Sequence, residues 1–278
     1  MNDELRRRSV GVPAARSVLL TVLGEFLLPS GRQGVWQETL IHALGTMDYK
    51  MHAARQALAR SIGEGWLIAE RHGRRSRVRL SEETAAMLVS GAERIYGFGA
   101  EYDWDQHWLL LVVSVPEKRR EVRHKARTRL AWAGFGSLGG GVWISPHADR
   151  ERELIGLAGN GSVAELLSFH AEIGALTRPE EILNKAWDLE ALGESYRSFI
   201  ARFVRLRPKT PDAVFAAQTL LVHEWRKFPF LDPDLPRELL PVRWPRDRAL
   251  ELFRERHELW HDTAQGYFSS LEAVRNAA

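Results

Sequence analysis

The stretch from Trp66 to Leu80 limits the fold most. It reads Trp66-Leu67-Ile68-Ala69-Glu70, then Arg71-His72-Gly73-Arg74-Arg75-Ser76, then Arg77-Val78-Arg79-Leu80. Two alternating segments around a glycine-bearing turn predict a β-hairpin, and Gly73 offers the positive φ that a tight tip needs. Five arginines fall between positions 71 and 79 with no acid among them. Immediately upstream, Asp48 is a candidate N-cap for a helix over Tyr49–Ile62. Met51, Ala54, Leu58 and Ile62 recur at helical spacing and predict one narrow apolar stripe. That stripe turns Tyr49, Ala53, Gln56 and Arg60 to the opposite face, with Lys50 and His52 on its flanks and Arg55 near its edge.

Such a face is either solvated surface or a surface for the DNA major groove, where Gln matches adenine edges and Arg matches guanine edges or phosphate. A basic hairpin directly after the helix favours the second reading, because helix-then-hairpin is the order of a winged helix-turn-helix. Earlier elements agree. Pro13 opens a helix over Ala14–Leu28, Pro29-Ser30-Gly31 ends it, Gly34-Val35-Trp36 is extended, and Gln37–Leu44 forms a second helix closed by Gly45. The expected DNA contacts are therefore Tyr49, Lys50, His52, Arg55, Gln56 and Arg60 from the helix, and Arg71, Arg74, Arg75 and Arg77 from the hairpin.

With no Cys, the chain has neither disulfides nor thiolate metal sites, as expected of a cytoplasmic protein. No apolar run approaches the ~18 residues that a membrane span needs. A net charge of +3 permits nucleic-acid binding without requiring it, so the placement of the cations carries the argument.

Several segments resemble one known family. They are Ala15-Arg16-Ser17 with Thr21 and Gly24, Ala53-Ala54-Arg55-Gln56-Ala57-Leu58-Ala59-Arg60, Glu64-Gly65-Trp66-Leu67, and Gly73-Arg74-Arg75-Ser76 with Leu80-Ser81. Together with the run Leu221–Pro236 they resemble the PaaX family of phenylacetate-degradation repressors. The resemblance implies a winged-helix protein acting as a homodimer on a double-stranded palindromic operator. It also implies release by an aryl- or acyl-CoA thioester such as phenylacetyl-CoA. By the same resemblance Arg55, Gln56 and Arg60 map onto the recognition helix, and Arg74, Arg75 and Arg77 onto the wing.

The centre of the chain predicts a small α/β unit. Ser81 caps a helix running toward Arg94, and Gly97 and Gly99 mark a linker. Trp108–Val115 is a buried strand stopped by Pro116, Glu117–Ala133 a strongly basic helix, Val142–Ser145 a second strand, and residues 163–173 a third. This order fits a βαββαβ ferredoxin-like unit. The basic helix is either a solvated face or a seat for polyphosphate, meaning DNA or the 3′-phospho-ADP of coenzyme A. The region resembles CRISPR-associated adaptation nucleases, which carry a metal-binding acid at the end of the first strand. Here that strand ends Val113-Ser114-Val115-Pro116, so a metal-dependent nuclease is the lesser alternative, with Asp103 and Asp105 as its candidate acids.

The remainder predicts helices over Trp187–Leu206, Asp212–Phe228 and Pro245 to about Leu271, with a proline-rich connector from Phe228 to Pro236. His223, Trp225, Arg226, Lys227, Phe228 and Phe230 combine aromatic and cationic groups and are the expected effector contacts; a buried ion-pair cluster is the competing reading. His257 and His261 share a helix face at i, i+4, with His223 or Glu224 as candidate third ligand, but no metal or cofactor is assigned. The expected class is α+β: residues 1–96 a winged helix-turn-helix, 97–178 a ferredoxin-like unit, 179–278 a helical effector and dimerisation domain. A regulator of the same fold with another ligand is the remaining alternative.

Overall fold

The computed structural model describes residues 13–99, 103–115, 120–154 and 165–276. The chain is mixed α and β, with two antiparallel sheets among mostly helical segments in the described residues. It opens with α1 (Ala15–Val22), continued by a π-helical turn over Leu23–Leu27, then β1 (Val35–Trp36), α2 (Gln37–Gly45) and α3 (Met51–Gly63). The hairpin β2 (Leu67–His72) and β3 (Arg75–Leu80) follows, with α4 (Glu82–Gly97) after it. β1 joins the far side of β3, giving the order β1-β3-β2. The hairpin strands run further than the alternation predicts. His72 pairs with Arg75, and Gly73 at φ +63° turns the chain within two residues.

Two local expectations change. Asp48 does not cap α3; it takes φ +64°, while the amide of Tyr49 donates to the carbonyl of Leu44. It ends α2 in the left-handed conformation that Asp tolerates better than most residues. The buried stripe of α3 is Ala54, Ala57, Leu58 and Ser61, and Met51 is 59% exposed. The small Ala57 and Ser61 let α3 approach its neighbours closely, with the Ser61 hydroxyl returned to the Ala57 carbonyl at 2.9 Å.

The second sheet contains β4 (Trp108–Ser114), β5 (Gly136–Gly139), β6 (Val142–Ser145) and β7 (Glu165–Ala171) in the order β5-β6-β4-β7. Helix α5 (Arg120–Trp132) connects β4 to β5, and a 3₁₀ segment (Ala148–Leu154) follows β6. β5 falls inside the glycine-rich stretch and is absent from the sequence-based reading. Gly141 is required there: at φ +85°, a Cβ would lie 2.5 Å from the carbonyl oxygen of Val113. Gly141 thus closes the β5–β6 connection tightly against β4.

The C-terminal third contains α6 (Pro179–Ala186), α7 (Leu189–Phe203), α8 (Pro211–Trp225), the single turn α9 (Phe228–Leu231) and the long α10 (Arg246–Asn276). One continuous apolar cluster runs from Val18, Phe26 and Leu58 through Phe215 and Trp225 to Phe268. Phe26 of the π turn meets Phe215 at 4.7 Å and Phe268 at 5.6 Å between ring centroids. The first and last thirds of the chain therefore share a core, while the sheet packs around smaller clusters of its own.

Candidate nucleic-acid interface

Along α3, Lys50, His52, Arg55, Gln56 and Arg60 are all exposed, and none of their side chains hydrogen-bonds or ion-pairs with another described residue. Tyr49 differs. It is half-buried, its hydroxyl donates to the carbonyl of Pro13 at 2.7 Å, and burial pushes its pKa up to about 12. Tyr49 thus anchors the start of α3 against the chain entering α1. Arg16 likewise steadies the other end of α3 by pairing with Glu64 and stacking over Trp66 at 3.8 Å.

The hairpin arginines divide into two groups. Arg71 and Arg74 are exposed at the tip, and the Arg71 side chain donates to the Gly73 carbonyl at 3.1 Å. Arg75 lies over Trp36 at 4.0 Å and donates to the carbonyl of Arg275 in α10. Arg77 donates to the Gly34 carbonyl at 2.9 Å and pairs with Glu272 at 3.4 Å. Glu272 is 3% exposed and also accepts from Thr39 Oγ1 at 2.7 Å and the Trp36 amide at 3.2 Å. Arg75 and Arg77 therefore fasten the hairpin to the last helix, and their cationic ends already have partners.

The six expected effector residues do not line one open pocket. Trp225 and Phe228 are fully buried among Tyr196, Phe199 and Phe253, with Trp225 stacked on Phe253 at 4.7 Å and Phe228 on Tyr196 at 4.1 Å. Arg226 donates to the hydroxyl and carbonyl of Ser17 at 2.7 and 3.1 Å, and burial lowers its pKa to about 10. His223 Nδ1 lies 3.0 Å from Thr21 Oγ1. These two side chains join α8 to α1, the helix that precedes the candidate interface. Phe230 and Lys227 keep partial exposure: Phe230 meets Trp132 of α5 at 5.2 Å under Arg94 at 4.6 Å, and Lys227 pairs with Glu224 at 3.2 Å.

His223 carries a pH dependence. Burial, helped by the charges of Arg226, Lys227 and Arg202, lowers its pKa from 6.5 to about 3. In the unfolded chain it takes a proton near 6.5, so between these values the unfolded state binds more protons and stability rises with pH. Above 6.5 the protein keeps its full stability. Below that, His223 alone removes about 1.4 kcal/mol per pH unit until its folded pKa is reached. Urea unfolding at several pH values should show this acid-side slope, and His223→Asn should flatten it; equal slopes would reject the assignment.

Sequence reasoning has the connector pinned by its own Phe and Leu side chains; it is also held by a polar junction through Asp232 and Asp234. Buried Asp232 accepts from the Tyr196 hydroxyl at 2.6 Å and the Asp234 amide at 2.7 Å, and burial raises its pKa. Asp234 pairs with Arg246 at 2.8 Å, its carbonyl meets His147 Nε2 at 2.8 Å, and Arg150 reaches the Pro233 carbonyl at 3.3 Å. The alternation of Asp and Pro is the available signal, since carboxylates in an apolar proline-rich run need buried partners. Asp105, a candidate nuclease acid, is occupied in accepting the His107 amide at 2.9 Å.

His257 and His261 do meet a third ligand-bearing side chain, but it is neither His223 nor Glu224. Glu224 pairs with Arg202 and Lys227. The third group is Glu25 of the π turn, 4% exposed, whose Oε1 lies 2.8 Å from His257 Nε2 and 3.9 Å from His261 Nδ1. Pattern alone could not find Glu25, because it comes from a segment more than 200 residues away.

Three family models cover most of the chain. Residues 14–84 match the PaaX-like protein model, 101–183 the PaaX protein central Cas2-like domain, and 187–270 the PaaX-like protein C-terminal domain. The transcriptional repressor PaaX of Escherichia coli (strain K12) is 31% identical over 254 residues, spanning 87% of this chain and 79% of that protein. The chain belongs to the PaaX family. In fold it is similar to the uncharacterized protein Rv0674 from Mycobacterium tuberculosis, with a TM-score of 0.64 and 23% identity over 91% of this chain and 98% of that one. In this chain Arg75, Arg77, Arg226 and Glu272 hold in place the segment that carries the exposed side chains of α3 and the tip arginines.

Proposed function

We propose that this chain is a DNA-binding transcriptional repressor of a phenylacetate-type catabolic operon. One observation carries the reading: Lys50, His52, Arg55, Gln56 and Arg60 lie exposed and unpartnered on α3, directly before a hairpin whose tip offers Arg71 and Arg74. Helices α1–α3 followed by the β1-β3-β2 sheet support a winged helix-turn-helix, with α3 entering the major groove and the tip contacting phosphate. Tyr49, Arg75 and Arg77 position these contacts.

The order β5-β6-β4-β7 with crossing segments after β4 and β6 supports a ferredoxin-like centre. We assign residues 1–96 to DNA binding, 97–178 to this central unit and 179–278 to effector response, in a cytoplasmic homodimer. Release by an aryl- or acyl-CoA draws support from the exposed Arg120, Lys125, Arg127 and Arg129 of α5, which ends at Trp132 beside Phe230. Cations suit the phosphates and the aromatic pair suits the acyl group. Glu117, Lys118 and Arg119 lie outside the described residues.

An operator gel shift titrated with phenylacetyl-CoA, other acyl-CoAs and free phenylacetate tests the reading. The thioester releases DNA and the free acid does not. Replacing Arg71 and Arg74 with Ala should weaken binding to all sequences alike. It should also reduce the slope of log affinity against log salt by about 2, one for each lost phosphate contact. An unchanged slope removes the tip from the interface.

A further inference from the structure

Glu25, His257 and His261 converge from opposite ends of the chain, and none of them belongs to the interface above. Their ligand atoms, one from each residue, all lie within 4.8 Å of one another. A tetrahedral ion at ~2.0–2.1 Å from each donor sets donors roughly 3.3–3.5 Å apart, and the observed 2.8 and 3.9 Å from Glu25 Oε1 straddle that spacing.

Three independent observations distinguish this cluster from a plain buried ion pair. His261 Nδ1 is shut off from solvent, aimed at the carboxylate, and has no hydrogen-bond partner. Glu25 is held as metal-bound carboxylates are, by an outer ring of hydrogen bonds: the Tyr96 hydroxyl takes Oε2, and the Gln218 amide reaches Oε1 at 2.9 Å. Gln265 further fixes the backbone carbonyl of Glu25 at 2.8 Å. The carboxylate also sits in the π-helical turn Leu23–Leu27, a geometry that helices adopt mostly at functional positions.

We propose that Glu25, His257 and His261 bind one divalent transition metal of the zinc class. Two imidazoles and one carboxylate without thiolate form a borderline-soft donor set of the kind that suits such an ion. The ion would staple the turn after α1 to the middle of α10. The end of that same helix holds the hairpin through Glu272, so metal would fix the frame that presents the DNA-binding face.

The test uses the full chain, stripped with chelator and dialysed. Calorimetric titration with Zn²⁺ should give one site per chain, and Co²⁺ should give visible ligand-field bands from a nitrogen- and oxygen-bound ion. With free Zn²⁺ about 100-fold above Kd, the melting temperature should rise by about 5–10 °C. His261→Ala removes a half-exposed side chain that makes no hydrogen bond, so the metal-free variant should melt like the parent while its Zn²⁺ affinity falls at least tenfold. Glu25→Gln should abolish the site as well. Absence of Zn²⁺ binding by the parent, or an undiminished affinity in His261→Ala, overturns the proposal. Neither result bears on DNA binding by α3.

Discussion

Trp225→Ala should destabilise the protein by about 3–5 kcal/mol, the range for a large aromatic removed from a packed core. The side chain is fully buried, with Phe253, Phe199 and Phe228 rings 4.7 to 5.4 Å away. Its indole also reaches the Ile95 carbonyl of α4 at 3.4 Å. Helices α4, α7, α8 and α10 therefore lean on one ring, and the cavity left behind could not close without moving several of them. Urea unfolding would measure the loss. An effector contact behaves differently: removing it weakens the thioester response while the midpoint stays close to that of the parent. A variant with parental stability and no thioester response would put Trp225 in the ligand site and refute its core role.

The second large effect concerns base recognition. Gln56→Ala combined with Arg60→Ala should lower operator affinity by roughly 2–6 kcal/mol, since each good bidentate base contact discriminates by about 1–3 kcal/mol. Binding to unrelated DNA should fall far less, by the share due to one lost cation. Both residues are exposed on α3, whose buried side is Ala54, Ala57, Leu58 and Ser61, so the fold should tolerate the change. Competition gel shifts with operator and scrambled duplex separate the two effects. Equal losses on both duplexes would show that α3 contacts only the backbone.

Arg74 and Arg75 show why a basic run is incomplete evidence. They are neighbours in sequence and equal in charge, but Arg74 lies in the hairpin turn and Arg75 opens β3, so they meet different surroundings. Arg74 stays at the exposed tip, whereas Arg75 stacks on Trp36 and reaches α10. Composition counts both as free cations. The same logic applies to Trp225 and Phe230, which both suit an aryl-binding slot by type. One is sealed in the core and the other sits half-exposed against Trp132.

Local chemistry was enough to place the helices of the first third, the hairpin and its glycine turn, the Ser81 cap and three of the four strands of the second sheet. Each depends on periodicity or on neighbours a few residues apart, which the sequence displays directly. It also marked Gln56 and Arg60 as outward-facing, because a helix fixes relative direction at 100° per residue. Tertiary structure decided which cations remain available and which residues meet across distance. Glu25 reaching His257 and His261, Glu272 holding Arg77 and Thr39, and Thr21 facing His223 all join the first third of the chain to the last. No spacing rule connects positions some 200 residues apart; only the shared core brings them within hydrogen-bonding range.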